Sequence, residues 1–193
     1  MELASVALTL FLVLDPFGNM VIIHTLLARI PAPRRRAVMI RELLIALAVL
    51  LFFLFAGSAT LSLLGIRPAT LSISGGILLF LIALGMVFPQ TSITQESANQ
   101  DPFIVPIAVP MVAGPSAIAL LLLMSSKHPN SQLASATALI LAWGANTAVL
   151  LVSPWILRLF GNKGTQALER LMGLLLTLIA VQMFIDGISP PPA

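Results

Sequence analysis

The chain has no cysteine, which excludes disulfides, thiol catalysis and thiolate metal ligands. Charge is also scarce, since Asp, Glu, Lys and Arg make up 9% of the residues, against roughly a quarter in soluble domains. No GxxxxGK, HExxH or GxSxG motif is present, and histidine and glutamate form no cluster. Because these absences remove the usual chemistry of an enzyme or a metalloprotein, we expect neither catalysis nor a resident cofactor or metal.

The chain is instead rich in long apolar runs. Hydrophobic residues make up 59% of it, and its mean hydropathy is +1.05. The runs that carry at most one charge are 3–28, 43–66, 68–95, 102–126, 128–157 and 171–188. Each can hold the roughly 20 residues of a spanning helix, and continuous apolarity favours helices over the alternating strands of a membrane barrel. The sequence therefore predicts an all-α membrane protein with six transmembrane helices and lipid as its surroundings.

Basic residues lie in the short connections between these runs, which accounts for the net charge of +3 without a nucleic-acid partner. With the N-terminus outside, eight of them fall inside: Arg29, Arg34, Arg35, Arg36, Arg41, Arg158, Lys163 and Arg170. Only Arg67 and Lys127 fall outside. An excess of Lys and Arg marks the inner side, so we expect both termini outside. The run from Arg34 to Arg36 can also attract anionic lipid, but its topological role already accounts for it.

The two halves of the chain resemble each other. GILLFLIALGM from Gly76 matches GLLLTLIAVQM from Gly173 at an offset of 97 residues, and helix breakers match at nearly the same offset. The pattern divides one membrane domain into 1–90, an inner-side linker 91–101, and 102–193. Three spans in each half force the second half to cross the membrane in the opposite sense. The sequence thus predicts two inverted three-helix repeats.

The stretch DPFGN interrupts the first span near its middle. Pro16 has no N–H, it disfavours helical angles at Asp15, and Gly18 permits almost any conformation. A helix break at membrane depth is tolerated only against protein or a water-filled cavity, and an ionisable group there is costly. One interpretation is a functional break; the other is that Asp15 only caps a second half-helix. Asp101-Pro102-Phe103 favours capping, because the same tripeptide opens the fourth span at the membrane edge.

The fourth span contains the corresponding break, VAGPS, in VPMVAGPSAI. Gly114, Pro115 and Ser116 lie at its centre, and no charge is present. Two Gly/Pro-broken spans at matching positions of inverted halves indicate a central binding site, although kinks that only help packing are the alternative. Asn146 in the fifth span either bonds across helices, which is slightly favoured, or contacts a solute.

The segments DPFGN, PRRRAVMIRELLIALAVLLFFLFAG, SISGGILLFLIA, DPFIVPIAVPMVAGPS and ALERLMGLLL resemble the MarC family of bacterial inner-membrane proteins, in its YhgN-like branch. The resemblance covers nearly the whole chain. It implies six spans, an inner-membrane location and a relation to amino-acid exporters. It also implies site positions at Asp15, Pro16, Gly18, Asn19, Gly114 and Pro115. This chain differs from the family pattern at Val21, where relatives often have proline, and at Ser116, where they often have glycine.

Two functions follow from this reading. The first is a secondary transporter or exporter of small neutral amino acids or similar solutes, with H⁺ or Na⁺ as a possible coupling ion. Its predicted binding residues are Asp15, Pro16, Gly18, Asn19, Gly114, Pro115, Ser116 and Asn146. The second is a non-transporting inner-membrane factor whose broken helices are structural. The sequence gives no oligomeric state.

Overall fold

A computed structural model describes residues 3–28, 30–88, 113–127 and 131–189. The described parts are helical and contain no strand. The helices are α1 (Leu3–Leu14), α2 (Pro16–Ala28), α3 (Ala32–Leu64), α4 (Pro68–Val87), α5 (Pro115–Lys127) and α6 (Gln132–Ile188). Gly161 has non-helical angles inside α6, with φ 60° and ψ −176°. It separates two arms, α6a (Gln132–Gly161) and α6b (Lys163–Ile188).

Five helical segments of the described chain are long and apolar enough to cross a membrane. They are Leu3–His24, which joins α1 and part of α2, Ala32–Gly57 in α3, Pro68–Val87, and the two arms of α6. α5 is apolar but shorter, with 13 residues. The first part of the predicted fourth span and the linker 91–101 lie outside the described residues, so six spans stay a prediction.

Apolar side chains occupy both the interior and the outer surface of the bundle. Leu43, Leu121, Leu139 and Leu176 are at most 1% exposed and belong to one continuous core. Leucines and aromatic residues also face outward, including Trp155 at 63% exposure. Helices that are hydrophobic all round belong in a membrane, where the outward side chains meet lipid.

α4 packs most extensively against α6, and small residues let the two backbones approach closely. A Cβ atom added at Gly76 would lie 2.8 Å from the carbonyl oxygen of Ala180, and one at Gly173 would lie 2.9 Å from that of Ala83. Gly187 faces Ala69 in the same way. We call these six residues the α4–α6b seam. From one of these contacts to the next, the residue number rises by seven on α4 and falls by seven on α6b. The two helices therefore run antiparallel.

The contacts of the seam are exchanged by the 97-residue offset of the sequence repeat. Gly76 faces three residues of α6b: Ala180, Met183 and Phe184. Gly173, the counterpart of Gly76, faces three residues of α4: Ala83, Met86 and Val87. The second set equals the first set shifted by 97 positions. The contacts that Gly76 makes with α6b and those that Gly173 makes with α4 are therefore reciprocal under this offset.

A second correspondence involves the glycines that precede α4 and α6b. Gly65 ends α3 with φ 64°, and Gly161 interrupts α6 with φ 60°. Their separation of 96 residues differs by one from the 97-residue offset of the sequence repeat. Side chains other than glycine rarely adopt these backbone angles, so the two matched glycines share an unusual backbone conformation.

Candidate functional site

The first span is broken at Asp15. Its φ of 45° makes it the non-glycine residue with positive φ in the described chain, and it separates α1 from α2. Aspartate tolerates this left-handed region better than most residues. The residue is only 8% exposed, although it lies twelve residues, or about 18 Å of helix, from Leu3 at the start of the span. The predicted break is confirmed, and it lies inside the protein.

Both ends of the break are satisfied locally. The N–H of Gly18 donates to Oδ1 of Asp15 at 3.1 Å, so the carboxylate caps α2. The side-chain amide of Asn19 donates to the carbonyl oxygen of Leu14 at 3.0 Å, which stabilises the end of α1. Pro16 is the first residue of α2, where its missing N–H costs nothing. The four predicted residues of DPFGN thus form one compact turn.

The second carboxylate oxygen of Asp15, Oδ2, takes no part in the helix cap. Within the described residues, Oδ2 accepts no hydrogen bond and Asp15 has no ion pair. A Cβ atom added at Gly18 would collide with this oxygen and would lie 2.9 Å from the methyl group of Met86. Glycine at position 18 therefore leaves the space that the carboxylate occupies beside α4.

Glu169 is a neighbour of this site that the sequence analysis missed. Its side chain is half-buried on α6b. Gly173, one turn further along α6b, packs against Met86, which also contacts Gly18. The sequence repeat gave one indication that position 169 faces the protein interior. Its counterpart at the 97-residue offset is also polar, Ser72. Ser72 is buried, and its hydroxyl donates to the carbonyl oxygen of Met183 at 2.6 Å across the seam.

The described residues of the predicted second break form the beginning of α5. Ala113 and Gly114 are non-helical, α5 begins at Pro115, and the N–H of Ile118 donates to the carbonyl oxygen of Gly114 at 3.0 Å. Ser116 is buried at 4% exposure. Val112 and the prolines at 106 and 110 lie outside the described residues. Gly114, Pro115 and Ser116 therefore form the start of a helix, and the interruption of a fourth span at this point stays a prediction.

The break at Asp15 and the α5 helix both contact α4. Gly18 approaches Met86, and Ala119, one turn into α5, approaches Gly75. These contact points are eleven residues apart on α4, or about 16 Å. α1, which ends at the first break, also packs against α5. The structure thus places the break at Asp15 and the start of α5 against the same central helix.

Asn146 is completely buried in α6a, and neither atom of its amide group has a hydrogen-bond partner in the described chain. The hydroxyl groups of Thr147 and Ser125 are likewise buried without a partner there. The favoured sequence interpretation was that Asn146 bonds across helices. No such bond is found among the described residues, whereas the neighbouring Trp143 does bond across, from Nε1 to the carbonyl oxygen of Leu43 at 2.9 Å.

The part of the chain that the structure describes has no metal site of the usual kind. The described residues contain no group of three or more His, Cys, Asp or Glu side chains that could hold an ion. The groups that a small solute could use are the free oxygen of Asp15, the two helix starts and the amide of Asn146.

Comparison with known proteins places these features in a family. The profile described as "MarC family integral membrane protein" matches residues 1–190. The UPF0056 inner membrane protein YhgN of Escherichia coli (strain K12) is 52% identical over 189 residues, covering 97% of this chain and 96% of that protein. A UPF0056 membrane protein of Buchnera aphidicola subsp. Baizongia pistaciae (strain Bp) is 47% identical over 192 residues, covering 97% and 96%.

A more distant relative is the UPF0056 membrane protein MJ1677 of Methanocaldococcus jannaschii, 33% identical over 189 residues that cover 93% of this chain and 92% of that protein. No solved structure matches the chain. The apolar helices and the interrupted first span define an integral membrane protein. The chain belongs to the MarC family, which confirms the resemblance seen in the sequence. The names of these relatives describe a location and no substrate.

Proposed function

We propose that this protein is a secondary transporter, or exporter, of small neutral amino acids or similar small zwitterions. The observation that carries the proposal is Asp15, a buried carboxylate at a helix break inside an apolar span, with one oxygen used as a cap and one left over. An ionisable group at this depth is expensive and indicates function. Interrupted spans with exposed helix ends are the usual binding sites of secondary transporters.

The proposed chemistry follows from the charges at the break. Oδ2 of Asp15 would bind the ammonium group of a zwitterion, or a coupling H⁺ or Na⁺, and no hydrogen bond of the described residues occupies this oxygen. The solute's carboxylate would meet backbone N–H groups at a helix N-terminus, where the positive end of the dipole lies. The start of α5 at Pro115 and Ser116 is the helix end without an acidic cap, so it suits an anionic group.

Transport also needs two halves that move relative to each other, and the inverted repeat would supply them. The proposal is supported by the reciprocal contacts of Gly76 and Gly173 and by the antiparallel course of the α4–α6b seam. Three spans in each half would make the third and sixth helices antiparallel, as α4 and α6b are. Rocking of one half against the other along the seam would open a fixed site to one side of the membrane and then to the other.

The relatives' names and the apolar helices favour the inner membrane. The charge distribution favours an orientation with both termini in the periplasm, because eight basic residues then lie inside and two outside.

The direct test is solute flux in proteoliposomes that contain the purified protein. Radiolabelled alanine, serine and glycine are loaded, and counterflow is measured with and without a proton or sodium gradient. We expect saturable flux that requires the protein and stops when Asp15 is changed to Asn. A thermal-shift screen selects the first solutes, because a ligand that binds only the folded state raises stability.

A second candidate is a membrane factor that transports nothing. The observation that favours it is that both ends of the break at Asp15 are satisfied within the turn, by Gly18 and Asn19. This candidate predicts no flux for any zwitterion and no effect of Asp15→Asn beyond a small change in stability.

A further inference from the structure

The outward face of α3 combines basic and apolar side chains in one line. The exposed residues along it are Arg34, Ala37, Arg41, Leu44, Ala48, Phe52 and Phe55, which we call the α3 stripe. Residues seven apart on a helix lie within about 20° of each other, so Arg34 and Arg41 share this face. Leu44, Phe52 and Phe55 are 52%, 62% and 48% exposed. The stripe thus has two guanidinium groups at one end and about 21 Å of apolar surface below Arg41.

The neighbouring arginines have other positions. Nε of Arg35 donates to the carbonyl oxygen of Ile30 at 2.8 Å, which ties the side chain to the preceding turn. Arg36 lies above Met39 and Leu43, both buried, and so belongs to a different face of α3. Arginines that only set the topology can lie at any position in the connection. Such a role does not require Arg34 and Arg41 to share one face with the lipid-facing apolar residues of α3.

Free donors remain at the basic end of the stripe. Arg34 has no ion pair among the described residues, and Arg41 pairs only with Glu42, the next residue, at 2.7 Å. That pair uses Nε and Nη2 of Arg41, which leaves three of the five N–H groups of the guanidinium. Glu42 itself is largely buried, with 13% of its side chain exposed, so the exposed charge of the stripe is positive.

We propose that the α3 stripe is a binding site for an anionic phospholipid. Arg34 and Arg41 bind the headgroup phosphate, and one acyl chain lies along Leu44, Phe52 and Phe55. Arginine suits this role because its planar N–H groups match phosphate oxygens. A phospholipid has the same order of parts as the stripe, with a negative head and an apolar chain. The site is separate from Asp15 and does not depend on the transport proposal.

The test compares two lipids with the same dioleoyl chains and different heads, phosphatidylglycerol and phosphatidylcholine, added to the purified full-length protein in detergent. Lipid binding is read from the unfolding midpoint as a function of lipid concentration and from lipid retained in native mass spectrometry. The wild type should be stabilised more by phosphatidylglycerol. Arg34→Gln/Arg41→Gln should weaken apparent affinity for phosphatidylglycerol about thirty-fold and leave the response to phosphatidylcholine unchanged.

The matched control is Arg67→Gln/Arg158→Gln, which removes the same charge from two exposed arginines outside α3 and should keep its affinity within about threefold. If the Arg34/Arg41 variant does not fold, Arg34→Gln alone breaks no ion pair and should lose about fivefold. Equal responses of the wild type to the two lipids would overturn the proposal, as would equal losses in control and test variants. A dimer that dissociates in the Arg34/Arg41 variant would assign the stripe to a second copy of this chain instead.

Discussion

The N–H of Gly18 donates to one carboxylate oxygen of Asp15, and the missing side chain of Gly18 leaves room for the other. Two roles therefore meet in one carboxylate. Oδ1 stabilises the start of α2, and Oδ2 is available for a cation or an ammonium group. Because the roles belong to different atoms, substitutions that keep the cap and change the charge can separate them.

Asp15→Asn should leave the fold intact and abolish transport. Asparagine caps helices nearly as well as aspartate and also tolerates positive φ, so the loss of stability should be a few tenths of a kcal/mol. Removal of a buried charge that pairs with a solute should cost about 2 to 5 kcal/mol of binding, or more than tenfold in affinity. Flux in proteoliposomes at matched protein levels measures the second effect, and the unfolding midpoint measures the first.

Asp15→Ala is a poor substitute for this experiment, because it removes cap and charge together. Wild-type flux in the Asn variant would assign Asp15 to helix capping alone. The two helix starts would then be the remaining basis for a binding site.

Gly18→Ala should destabilise the protein by about 1 to 3 kcal/mol, the usual cost of overpacking. The new methyl group would collide with Oδ2 of Asp15 and with Met86, so the carboxylate has to turn away and the cap weakens. Gly144→Ala is the control, since a Cβ atom there meets nothing within 4 Å. In that helical position alanine should stabilise by roughly 0.5 to 1 kcal/mol. Equal midpoints for the two variants would show that the space beside Asp15 is not restricted.

The break at Asp15 could be predicted from sequence because its causes are local. Pro16 and Gly18 act on the backbone within three residues, and an N-cap needs no distant partner. The helix start at Pro115 was predictable for the same reason. The position of Glu169 near this turn was not, since it depends on how α6b packs against α4, and the sequence analysis used ALERLMGLLL only for the family resemblance.

The packing face of α4 was predictable in part. Matching GILLFLIALGM with GLLLTLIAVQM indicated that the two helices are equivalent, but not that they touch each other. That contact follows from the heptad spacing of small residues on both helices, Ala69, Gly76 and Ala83 against Gly173, Ala180 and Gly187. For Asn146 the residue type alone indicated a polar role. Only the structure showed that its buried amide has no hydrogen-bond partner among the described residues.

Gly76→Ala and Gly173→Ala should destabilise the protein to a similar extent, by about 1 to 3 kcal/mol each. Each methyl group would press on a backbone carbonyl at 2.8 or 2.9 Å, and backbone yields less readily than a flexible side chain. Gly85→Ala on α4 is the control, because it faces open space. Unfolding midpoints in detergent report the effect. A large loss for one glycine and none for the other would contradict the reciprocal relation of these contacts.

Asn146→Leu should raise the stability of the solute-free protein and lower solute affinity. An unpaired buried amide costs about 1 to 3 kcal/mol, and a side chain of similar volume without polar atoms removes that cost. The amide is retained at this expense if it binds a solute or water, so the variant should lose flux. Thermal unfolding with and without the best solute measures both effects. A destabilised variant would restore the interpretation that Asn146 bonds across helices.

The last prediction concerns orientation, on which the alignment of the two halves with the membrane depends. Reporters fused at the C-terminus and at Lys127 should read outside, and reporters near Arg35, Ser97 and Lys163 should read inside. The reason is that this orientation places eight of the ten basic residues on the inner side. A C-terminus inside with an N-terminus outside would mean an odd number of spans, which two equal halves cannot give. Both termini inside would preserve six spans and contradict the charge argument, so the two outcomes test different steps of the reasoning.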